Sequence, residues 1–99
     1  MILIQLSFDF PPSMMGEELV KVGKDLADSI NNEAGFISKI WTENPETGKA
    51  GGIYLFEDKE TAENYMDMHA KRIEGLGIEK FDVQYFSVNE TLSKINHGI

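Results

Sequence analysis

Apolar residues alternate with polar ones from the start of the chain. Ile2, Ile4, Leu6, Phe8 and Phe10 interleave with Gln5, Ser7 and Asp9, a period of two that predicts a strand with one strongly apolar face. Pro11-Pro12 ends it, and the period then changes. Leu19, Val22, Leu26 and Ile30 recur at spacings of three and four, which predicts a helix carrying them on one stripe. Ser13 is the expected N-cap, Glu17 and Glu18 suit the positive end of the helix dipole, and Asn31-Asn32 with Gly35 close the helix.

A second strand is expected over residues 36–43 and a third over 50–56, joined by the turn chemistry of Asn44-Pro45-Glu46-Thr47-Gly48. Asp58 is the expected cap of a second helix, with Ala62, Tyr65, Met66, His69 and Ile73 on one face and Gly75 and Gly77 as its stop. Phe81, Val83 and Tyr85 alternate in a fourth strand, and Asn89 to Leu92 reads as a short capped turn. The order βαββαβ predicts an α+β, ferredoxin-like fold: a four-stranded antiparallel sheet with two helices on one face.

The third strand adds a layer to this picture. Gly51, Ile53 and Leu55 form one of its faces, and Gly52, Tyr54 and Phe56 form the other. Neither face carries charge, so both should be covered. Helices can cover one; the sheet of a second copy is the economical cover for the other, and a homodimer of facing sheets is expected.

The totals narrow the function. A chain of 99 residues fits one domain, 1–99, and buries roughly two thirds of its unfolded surface. Nine basic against 17 acidic residues leave a formal charge of -8, which disfavours nucleic acid and anionic membranes as partners. There is no cysteine, which removes disulfides, thiolate nucleophiles and the usual structural zinc sites. The first residues read as a strand and not as a signal peptide, and no apolar run approaches the ~20 residues of a membrane span. A cytoplasmic location is expected.

No P-loop, dinucleotide fingerprint, HExxH or GxSxG is present. The two histidines, His69 and His97, are far apart in sequence, so no metal site is expected. His69 falls on the inward stripe of the second helix. It is either a half-buried histidine held by a backbone carbonyl, or a proton donor, acceptor or haem ligand in the helix–sheet cleft. His97 lies in a polar tail and reads as inert.

Trp41 should share a strand face with Ile37 and Lys39, while Phe36, Ser38, Ile40 and Thr42 take the other. Trp41 reads as core or interface first and, through its indole N–H, as a wall that orients a planar ligand second; the Tyr54 hydroxyl likewise ends at the sheet edge or points into a cavity. Tyr65, Met66 and Phe36 are core residues first and cavity lining second. Arg72, three residues after His69, either reaches the same cleft or snorkels to solvent. Met14-Met15 fits packing or the gate of an apolar opening. Gly51-Gly52 marks a bulge or a close approach to the backbone. Together these side chains suit a flat hydrophobic ligand better than a sugar phosphate or a peptide.

WTENPETGKAGGIYLF, the segment MHAKRIEGLG and the closing FSVNETLSKIN resemble the YdhR family, small bacterial proteins described as monooxygenases within the dimeric α+β barrel superfamily. The likeness runs nearly end to end, with LIQLSFDF and SINNEAGF also fitting. The resemblance implies oxidation of a small phenolic or quinol-like compound by molecular oxygen without metal, flavin or haem. The substrate itself supplies the electrons, and the protein needs one base and one or two hydrogen-bond donors in an aromatic pocket. His69 as acid/base, with Trp41 and Tyr54 as donors or stacking walls, are the expected catalytic residues; Tyr65, Met66, Phe36 and Arg72 are the expected substrate contacts. Two alternatives stand beside this: a haem-binding or haem-degrading relative using His69, and a binding module without catalysis.

Overall fold

The computed structural model describes residues 1–99. Its elements are β1 (Ile2–Asp9), a 3-10 turn (Pro12–Met14), α1 (Glu17–Ile30), β2 (Phe36–Asn44), β3 (Lys49–Phe56), α2 (Lys59–Gly75), β4 (Phe81–Ser87) and α3 (Glu90–Ile95). The four strands form one antiparallel sheet in the order β2-β3-β1-β4, the ferredoxin-like α+β arrangement. No helix is long and apolar enough to cross a membrane.

The inward stripe of α2 is as its spacing predicts. Ala62, Tyr65, Met66, His69 and Ile73 are all buried, and the Asp58 carboxylate accepts from the Thr61 amide at 2.8 Å. They pack on Ile4 and Leu6 of β1 and on Tyr54 and Phe56 of β3, which form the largest fully buried side chains. In the β2–β3 hairpin the Asn44 side chain accepts from the Glu46 amide at 3.0 Å, and Gly48 takes φ 70°.

Three expectations need correction. Ser13 does not cap α1. Pro12–Met14 close a 3-10 turn instead, and the helix begins after Gly16, whose φ of 66° and ψ of -128° suit glycine and whose amide donates to Glu43 Oε2 at 3.0 Å. The stripe of α1 is as its spacing predicts: Leu19, Val22 and Leu26 face one cavity between helix and sheet, Ile30 enters the core, and Val22 stays 57% exposed on the cavity wall.

Phe36 is not on the face of Ile40 and Thr42. A register shift between Phe36 and Ser38 places it opposite Phe56, and the two rings meet edge-on at 5.9 Å. The segment after β4 is a six-residue helix, α3, capped by Asn89 at the Leu92 amide, and not merely a turn.

The Gly51-Gly52 pair lies in unbroken register with β1 and β2, so it marks close approach and no bulge. A Cβ on Gly51 would fall 1.9 Å from the Leu6 carbonyl oxygen. A Cβ on Gly52 would meet Lys39 Cε and Tyr54 Cε1, each at 3.0 Å. The bare backbone of Gly52 is what lets these two side chains lie across the sheet.

The opposite face of the sheet carries Leu3, Ile40, Ile53, Leu55 and Phe86, of which Ile40 is 66% exposed.

Candidate functional site

Between α1, the helix-facing side of the sheet and the loop after α2 lies a cavity of about 830 Å³. Its wall is mostly apolar, with Phe8 and Phe10 from β1 and its exit, Leu19 and Leu26 from α1, and Ile73 from α2. Ligand pockets run to about 300–1,000 Å³. α1 roofs the space, with Ile30 seated in the core and Gly23 resting on the Trp41 ring. Met14, half exposed, lines the cavity, whereas Met15 is buried and does not.

Three of the expected site residues meet here. Trp41, Tyr54 and His69 all line the cavity, although they come from β2, β3 and α2. Register explains the first two. Trp41 pairs with Gly52 and Lys39 pairs with Tyr54, so β2 and β3 present Lys39, Trp41 and Tyr54 to the helix side together. The Trp41 ring reaches α1 itself: a Cβ on Gly23 would lie 3.2 Å from Trp41 Cη2.

Tyr54 and His69 form a buried pair, with Tyr54 Oη 3.4 Å from His69 Nε2. His69 Nδ1 is enclosed and has no hydrogen-bond partner. Desolvation, followed by the nearby charges of Lys39 and Arg72, pushes the His69 pKa down to about 4. The ring is therefore neutral at physiological pH. Burial raises the Tyr54 phenol well above its ordinary value, so it stays protonated.

The remaining expected contacts sit behind the wall. Tyr65 stacks on the His69 ring at 5.2 Å and 21°, contacts Phe56 on its other flank, and has its phenol raised to about 12, chiefly by burial. Met66 is buried beside it in the core, and Phe36 packs on Phe56; none of the three lines the cavity. Arg72 is half-buried, with Nη2 3.7 Å from Met68 Sδ, and influences the site through its charge. No group of three or more His, Asp or Glu side chains converges as a metal site.

One polar residue of the cavity escaped the sequence reading. The Lys39 ammonium lies 3.6 Å from the Trp41 ring centroid and 4.6 Å from that of Tyr54. Burial first, and the Arg72 charge second, lower its pKa to about 8. Its signal was its place two residues before Trp41 and opposite the Gly-Gly pair.

The sequence model of the family described as "Putative mono-oxygenase ydhR" matches residues 3–99. Comparison with curated proteins gives no match.

Proposed function

The chain belongs to the ydhR mono-oxygenase family, and from that premise we propose that its cavity oxidises a small phenolic or quinol-like aromatic with molecular oxygen, drawing the electrons from the substrate. The observation that carries this reading is the neutral Tyr54–His69 pair in the wall of an aromatic cavity.

A flat phenolic ring fits against Trp41 and the apolar wall. His69, held neutral, accepts the proton that activates the substrate. An imidazole held near 4 is a weak base on its own, but the anion formed beside it raises its proton affinity. The carbanion then adds oxygen. In an activated methylene, one oxygen atom ends in the new carbonyl and the other leaves as water, with all four electrons coming from the substrate carbon. Tyr54, which keeps its proton, is the donor to the developing oxyanion.

Haem has no observation in its favour. Nδ1 of His69 is enclosed, and ligation through Nε2 would displace the Tyr54 contact. A binding module without turnover shares the same cavity and differs only in the outcome of the test. The apolar outer face of the sheet supports a homodimer of facing sheets, with Ile40 and Phe86 within the contact.

Oxygen uptake measured over a panel of hydroquinones and anthrones tests the reading. Uptake that is lost in His69→Leu is expected. Binding of these compounds with no oxygen consumed above the protein-free rate would leave only the binding module.

A further inference from the structure

Lys39 breaks the habit of its residue type. A lysine on an edge strand ordinarily lays its stem along the surface and puts the ammonium in water. Here the stem crosses the bare backbone of Gly52, and the ammonium ends over two aromatic faces inside the cavity. It makes no ion pair; the four in the fold involve Met1, Lys21, Lys49 and Lys59 as cations.

The carboxylates nearby are engaged or placed elsewhere. Glu43, on the same strand face, accepts from the Gly16 amide. Asp9, on the cavity wall, is paired with Lys49. Glu79, also on the wall, belongs to the loop after α2 and adjoins Lys80. On the other side of Lys39 stand His69, Tyr54 and Arg72: a neutral ring, a protonated phenol and a second cation. A chain with a formal charge of -8 thus keeps an unpaired positive centre in this cavity.

A desolvated cation without a counterion is costly, and a bound anion removes that cost. We propose that Lys39 is the specificity-determining counterion of the cavity, selecting flat aromatic ligands that carry an oxyanion on the ring, as a carboxylate or an ionised phenol. This rests on the reading of the cavity as an aromatic site and sharpens it: Lys39 favours the deprotonated substrate over the neutral one. The lowered pKa of Lys39 is consistent with a site that lacks its anion.

Trp41, the sole tryptophan and a cavity residue, reports binding through its fluorescence. The probes are 2-naphthoate, its neutral isostere 2-naphthamide, and 4-nitro-1-naphthol, which ionises readily. At neutral pH, 2-naphthoate should bind the wild-type protein at least about tenfold more tightly than the amide. Lys39→Met should collapse that ratio to near one while leaving the amide unchanged, and Lys39→Arg should keep it. The ratio should also fall above about pH 8 as Lys39 loses its proton, because His69 is already neutral and Tyr54 and Tyr65 stay protonated. The nitronaphthol arm shows whether a phenolate is accepted as well as a carboxylate.

Equal affinity for naphthoate and naphthamide in the wild type, or a preference that survives Lys39→Met, overturns the role of Lys39 and leaves the aromatic cavity standing. Failure of all three probes to bind overturns both. Thermal melts of each variant show that the comparison is made on folded protein.

Discussion

Tyr54 Oη stands 3.4 Å from His69 Nε2, and both residues are almost wholly withdrawn from water. The pair joins β3 to α2 across the core, so it serves packing as well as any chemistry. Its titration should therefore be visible in stability before any substrate is known.

His69 is held near 4, below the ordinary 6.5. Between these values the unfolded chain binds a proton that the folded chain refuses. Stability from this group is fully present above pH 6.5 and is lost as pH falls through 4. The size is on the order of 3 kcal/mol. Urea midpoints of wild type and His69→Leu, measured from pH 7 to pH 4, should converge by about that amount; parallel curves would contradict the assignment.

Lys39 gives a prediction of opposite appearance. Its ammonium is destabilising in the fold, since its pKa drops from 10.5 to about 8. The unfolded chain holds the proton more tightly over that window, so this group adds stability as pH rises from 8 toward 10. Near neutrality Lys39→Met should stabilise the protein by about 2 kcal/mol, the cost of holding the charge away from water less about 1 kcal/mol of lost cation–π contact. A lower melting temperature for the variant would count against the buried ammonium.

Two glycines separate structural from functional cost. Gly51→Ala places a methyl 1.9 Å from the Leu6 carbonyl oxygen, and the expected loss is at least about 3 kcal/mol or no folded protein. Gly23→Ala gains about 1 kcal/mol of helix propensity but presses on Trp41 Cη2 at 3.2 Å. Its stability should stay within about 1 kcal/mol of wild type, while Trp41 emission shifts and naphthoate affinity falls. Unchanged emission and affinity would show that the indole yields freely.

The outer sheet face makes the dimer testable. Sedimentation equilibrium at micromolar concentration should give twice the chain mass, and Ile40→Glu, placing a charge at an exposed apolar position, should give a monomer. A wild-type monomer would leave that face without the proposed cover.

The sequence made the element order legible because its periods are clean: two in β1, three and four in α2. Trp41, Tyr54 and His69 were legible as site candidates because each is a polar-tipped ring on an otherwise apolar face. The structure brings all three to one cavity. Phe36 falls on the other face because alternation assumes an unbroken pleat, and the irregularity between Phe36 and Ser38 is a backbone event that Ile37 does not announce. Lys39 was passed over because lysine on a strand ordinarily means solvent; only the register that sets it across from Tyr54, beside Gly52, turns it inward.

α1 is anchored at Ile30 in the core and tied to β2 at its start, where the Gly16 amide donates to Glu43 Oε2; between these points the Trp41 indole rests on Gly23. A flat ring there meets bare backbone, with no side chain of the helix in between. One indole is thus the spacer between helix and sheet, and the thickness of ligand the chamber admits becomes a property of Trp41.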